Sequence, residues 1–165
     1  MTILYKVHNN LYVNLTNKCP CSCTFCLRQT MDHVGESDSL WLTREPEYDE
    51  IIADFANFDV ASFDELVFCG FGEPTERIDM LLKVARYFKE TYHKPIRINT
   101  NGLGNLVNGR DIAPDFKGLI DTISISLNTP NATVTTNWFA AVSVISLSRQ
   151  CSTSPRNAHN MYRML

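Results

Sequence analysis

Apolar positions along the chain fall into two alternating rhythms. Short β-branched or aromatic runs at residues 11–17 (LYVNLTN), 65–70 (ELVFCG), 95–101 (PIRINTN) and 121–128 (DTISISLN) read as strands, each closing on Gly, Asn or Cys. Between them lie segments with a helical period. Residues 47–58 put Tyr48, Ile51, Ile52 and Phe55 on one face, and residues 76–93 do the same with Ile78, Leu81, Leu82, Ala85 and Phe88. Thr75 stands where an N-cap is wanted. Strand and helix therefore alternate, which predicts parallel strands joined by right-handed crossovers and an α/β layer or barrel fold. In such folds ligands gather at the C-terminal ends of the strands, where this chain carries its polar clusters.

Composition narrows the setting. With 165 residues, 44% apolar and 20% charged, the chain has the make-up of one ordinary globular domain. The N-terminus has no basic region followed by an apolar stretch, and no run of about 18 apolar residues occurs, so neither a signal peptide nor a membrane span is expected. A cytoplasmic, reducing compartment follows as the expectation, and there clustered cysteines serve as metal ligands or redox groups more often than as disulfides. The net charge of −3 gives no basic footprint for nucleic acid.

Four cysteines, Cys19, Cys21, Cys23 and Cys26, occupy eight positions directly after the first strand. Pro20, Ser22 and Thr24 make this stretch a turn-rich loop, which argues against cysteines that merely fill a core. Structural zinc usually takes two pairs of ligands, and the remaining Cys and His residues offer no second pair. Without Cys21 the spacing reads C-x3-C-x2-C, with Phe25 before the last cysteine. Three thiolates on one short loop can hold three irons of a cubane cluster and leave the fourth open.

This spacing, with its aromatic residue, resembles the signature of the radical S-adenosylmethionine (SAM) enzymes. The resemblance implies a [4Fe–4S] cluster on Cys19, Cys23 and Cys26, with Cys21 a neighbour and not a ligand. It implies SAM chelated to the open iron and cleaved at its C5′–S bond by one electron, giving a 5′-deoxyadenosyl radical that abstracts hydrogen from a substrate. CGFGEPT (69–75) resembles the family's glycine-rich segment, pointing to Gly70, Gly72 and Glu73 for the methionine amino group; taken alone it reads as a turn entering a helix. Asn101, Ser126 and Asn128 sit where the family binds ribose and carboxylate, although polar groups on every second strand residue also describe a wetted face. Arg28 is a candidate shield for the thiolates, with a solvated surface arginine as the alternative.

More narrowly, residues 5–132 look like the TatD-associated branch of the superfamily, and cover the N-terminal four β-α units of a partial (β/α)6 TIM-like barrel. The branch implies a functional link to a TatD-type hydrolase and an electron donor such as flavodoxin or ferredoxin. Its substrate is not implied. Composition changes at Thr133: residues 1–132 carry −6, while residues 133–165 carry only Arg149, Arg156 and Arg163 as charges, beside nine Ser or Thr. Too few charges remain there for a helix with a solvated face. Codons compatible with Thr133 to Ile145, read with one added G, encode the charged, amphipathic DRYNQLVRSRFGD, similar to what the branch carries at this point. Residues 1–132 are therefore expected to be the front of a radical SAM core and residues 133–165 an out-of-frame tail, making this chain an inactive truncation. The alternatives are a small non-catalytic iron–sulfur or zinc-binding module, and an interaction domain without chemistry.

Overall fold

The computed structural model describes residues 1–126; Asn128 and the tail from Thr133 lie outside the described residues. Five strands form one sheet in the order β1 (Leu4–Val7), β2 (Asn10–Val13), β3 (Leu66–Phe68), β4 (Ile96–Thr100), β5 (Thr122–Ile125). Strands β2 to β5 run parallel, and the connections carry helices α1 (Tyr48–Asp54), α2 (Ile78–Tyr92) and α3 (Gly104–Asn108). The four strands read from the sequence are β2 to β5, so the α/β expectation holds. β1 is an addition. It pairs antiparallel with β2 through Val7↔Asn10, across a two-residue turn in which His8 takes φ 51°. A His-Asn turn lacks the glycine that usually announces a hairpin, which hid it.

β2 is also shorter than residues 11–17 suggest. The strand ends at Val13; the Asn14 amide still donates to the Ile3 carbonyl at 2.8 Å, and Asn14, Leu15 and Thr16 continue buried but irregular, turning the chain toward the cysteines. The expected cap moves too. Glu73, not Thr75, is the N-cap of a 3-10 turn over Pro74–Arg77 that leads into α2, because the Glu73 carboxylate accepts from the Thr75 amide at 3.1 Å and hydroxyl at 2.7 Å.

The sheet has unlike faces. Leu11, Val13, Leu66, Phe68, Ile96 and Ile98 lie under Ile51 and Phe55 of the α1 segment and Ile78, Leu81, Val84, Ala85 and Phe88 of α2. Alternate positions on the opposite face carry Tyr12, Val67, Arg97 and Asn99. Ring contacts add aromatic order to the helical layer: Phe88 lies 5.6 Å from Phe55 and 5.1 Å from Tyr92, centroid to centroid. Truncating a ring this enclosed leaves a cavity, so Phe88→Ala is expected to cost about 3–5 kcal/mol. Met31→Ala, on an exposed loop residue, should stay within about 0.5 kcal/mol. Urea unfolding of both variants measures the difference, and equal midpoints would contradict this core.

Candidate functional site

The cysteine loop is held at both ends by side chains that satisfy its backbone. Asn17 brackets Leu42, donating to its carbonyl at 2.7 Å and accepting from its amide at 3.0 Å. Arg77 donates to the carbonyls of Leu15 and Pro46 at 3.1 and 2.8 Å. Arg28 is not a free surface cation: it donates to the carbonyls of Asn17 (3.3 Å), Phe71 (3.5 Å) and Cys21 (3.2 Å), folding the loop over itself. Beyond Cys23 the chain turns tightly, with the Cys26 amide on the Cys23 carbonyl at 3.2 Å, into a 3-10 turn over Leu27–Gln29.

Within the loop, Cys19 and Cys23 pack around Cys21, which is buried against Leu103. Cys26 stands apart, lining a cavity of about 280 Å³ with Tyr5, Tyr12, Cys69 and Phe71. Among the described residues no three His, Cys, Asp or Glu side chains form a ready-drawn metal-holding group. The donor chemistry nevertheless fits an iron–sulfur cluster: the loop offers only soft sulfur, and Cys19, Cys23 and Cys26 are each partly accessible. A hydrogen bond from the Cys21 thiol brings Cys19 down to about 6, against the opposing effect of burial. Cys21 is pushed up by the same bond and by burial, and Cys23 is raised by burial. The Arg28 charge favours the thiolates of Cys19 and Cys23, so its shielding role fits the geometry.

The segment after β3 is fitted to this loop from below. A Cβ on Gly72 would lie 2.6 Å from the Lys18 carbonyl oxygen and closer still to that of Thr16, and one on Gly70 would lie 2.7 Å from the Asn14 side-chain carbon Cγ. Both glycines thus admit close approach, here by the chain's own loop. The Glu73 amide donates to the Lys18 carbonyl at 2.8 Å. Its carboxylate, 3% exposed, accepts at Oε1 from Thr75 and from the Thr100 hydroxyl at 2.7 Å, and at Oε2 from the Asn101 amide at 2.8 Å. Asn101 in turn points its Nδ2 at Cys21 Sγ (3.6 Å) and Cys19 Sγ (3.9 Å).

The structure therefore brings Asn101, held by Glu73, against Cys19 and Cys21, and packs Gly70 and Gly72 against the Asn14–Lys18 segment that leads into the loop. Ser126 is exposed just past β5, its amide on the Thr100 carbonyl at 2.9 Å. Thr100 was missed from sequence, although its place in the NTNG run at a strand end marked it as a candidate. Asn14, Asn17 and Arg77 were missed because their partners are distant in the chain.

Overpacking at these glycines should cost about 1–3 kcal/mol. Because Gly70 faces a side chain and Gly72 faces backbone, an Asn14→Ala background should reduce the cost of Gly70→Ala but leave that of Gly72→Ala unchanged. A double-mutant cycle by chemical denaturation reads this directly, and equal coupling at both positions would refute the packing.

No helix among the described residues is long and apolar enough to cross a membrane. No curated protein matches the chain. The model of the radical SAM superfamily matches residues 13–141, a span that runs from the end of β2 through the cysteine loop, β3, the glycine segment with Glu73, β4, Asn101 and β5. A match over most of the chain, on a mostly parallel α/β sheet, places this protein in the radical SAM superfamily.

Proposed function

We propose that this chain is a radical SAM enzyme of the TatD-associated branch, holding a [4Fe–4S] cluster on Cys19, Cys23 and Cys26. The observation that carries the reading is the buried Glu73 carboxylate at the C-terminal ends of β3 and β4, linked through Asn101 to Cys19 of a loop whose Cys19, Cys23 and Cys26 thiols are each partly accessible. When bound, the cluster supplies the electron that cleaves SAM to a 5′-deoxyadenosyl radical, which abstracts hydrogen from substrate. The chain's own part is to bind and orient. A carboxylate offers about four accepting directions. Oε1 of Glu73 is crowded by three donors and Oε2 has one, so Oε2 is the atom left to receive the methionine ammonium. Gly70 and Gly72 keep that carboxylate against the loop, and Ser126 and Asn128 take the ribose and carboxylate side. Cys21, buried and bonded to Cys19, packs the loop and is not a ligand. An electron donor such as flavodoxin or ferredoxin supplies the electron in a reducing cytoplasm, and the branch links the chain to a TatD-type hydrolase.

Anaerobic reconstitution tests the ligand set. Iron and the cluster's EPR signal should be lost in Cys19→Ala, Cys23→Ala and Cys26→Ala and kept in Cys21→Ala; the opposite pattern at Cys21 overturns the assignment. Added SAM should alter the EPR spectrum of the reduced cluster. Glu73→Gln should weaken that effect while retaining iron, and it should cost about 1–3 kcal/mol of stability because a buried donor loses its acceptor. Unaltered SAM affinity in this variant would remove Glu73 from the site.

A further inference from the structure

Asn101 is fixed at two points before its amide group reaches the sulfurs. Its backbone amide donates to Glu73 Oε2 at 2.8 Å. Its Oδ1 accepts from the Leu103 amide at 2.9 Å, which settles which end of the side-chain amide is oxygen. The Nδ2 group is thereby turned toward Cys21 Sγ at 3.6 Å and Cys19 Sγ at 3.9 Å. The carboxylate that holds Asn101 is itself fixed by Thr75 and Thr100, so this donor sits on the rigid ends of β3 and β4 and not on the mobile part of a loop. Glycine follows at Gly102 with φ 79°, which lets the chain turn away immediately after the side chain has been aimed.

We infer that Asn101 is a positioning residue whose side-chain amide donates N–H···S hydrogen bonds to Cys19, a proposed ligand, and to its buried neighbour Cys21, and so raises the reduction potential of the cluster that Cys19 helps to hold. The inference rests on the proposed function, and assigns Asn101 to the sulfur side of the site and not to the ribose. Reduction adds negative charge to the cluster and its thiolates. A donor aimed at a ligand sulfur stabilises the reduced form more than the oxidised one, and hydrogen bonds to sulfur are one of the terms that set such potentials. Among the described residues, no other side-chain amide hydrogen-bonds to the sulfurs of Cys19, Cys21, Cys23 or Cys26, so the effect should be concentrated in one side chain.

The test uses the full chain, reconstituted anaerobically, with the cluster's midpoint potential read by EPR-monitored redox titration. Asn101→Asp is isosteric: it keeps the backbone bond to Glu73 and the acceptor for Leu103 but replaces the donor facing the sulfurs with a negative oxygen. Asn101→Ser removes the reach without adding charge. Both variants should hold iron, and both midpoints should move to more negative values, Asn101→Asp the further. A residue that only braced the turn would change thermal stability and leave the potential where it was. Two loaded variants with the wild-type midpoint, or Asn101→Ser loaded at the wild-type midpoint while Asn101→Asp fails to load, overturn the inference alone. Wild-type chain that takes up no iron sinks the cluster reading, and this inference with it.

Discussion

The buried carboxylate of Glu73 is the constraint on which the rest of the site depends. A carboxylate withdrawn from water is costly unless its oxygens find donors, and among the described residues no Arg or Lys ion-pairs with this one. Four hydrogen bonds offset that cost, and they come from two different places: Thr75, just after the glycine segment, and Thr100 and Asn101, at the end of β4. The same residue's amide is committed to Lys18, one step before the first cysteine. One residue thus joins the ends of β3 and β4 to the cysteine loop, and none of the three can shift without leaving a buried polar group unpaired.

That joint explains why the sheet is one-sided. Parallel strands are usually apolar on both faces because helices cover both. Here α1 and α2 cover one face, while the other carries Arg97 in an ion pair with Glu65 at 2.7 Å, with Asn10 on the same carboxylate at 3.1 Å. Asn99 lies two residues further along β4, beside the Cys69 thiol. Such a face suits the interior of a barrel, where polar groups meet one another or a ligand, and it suits a helix layer poorly. That face therefore changes character along β4, from the ion pair at Arg97 to the neutral amide of Asn99, with Asn101 following just past the strand end at the site.

How much of this the sequence disclosed follows the range of the interactions. Strands β2 to β5 and both long helices depend on local periodicity, and Ile51, Phe55, Leu81 and Phe88 fall on the faces their spacing assigns. The cysteine spacing is likewise local. β1 escaped because its turn is made by His8 in a left-handed conformation without glycine, and Thr75 was misread because a better acceptor, Glu73, stood two residues earlier. The braces at Asn17, Arg77 and Arg28 join residues far apart, and no spacing rule announces them. Gly70 and Gly72 were legible as points of close approach, but which chain approaches them was not.

The fourth cysteine then finds a physical role. The cysteine loop has few apolar groups to fasten it to the domain, since Cys19, Cys23 and Cys26 are partly accessible and Pro20, Ser22 and Thr24 supply little. Cys21 supplies the anchor: a small, weakly polar side chain that packs on Leu103 beneath the loop. Its thiol keeps its proton and gives it as a hydrogen bond to Cys19, which favours the ionised form of that neighbour. Serine there would keep a donor but lose much of the apolar contact, and alanine would keep little of either. Cys21 thus differs from its loop neighbours in burial, and through that burial and its bond to Cys19 it holds its proton more tightly.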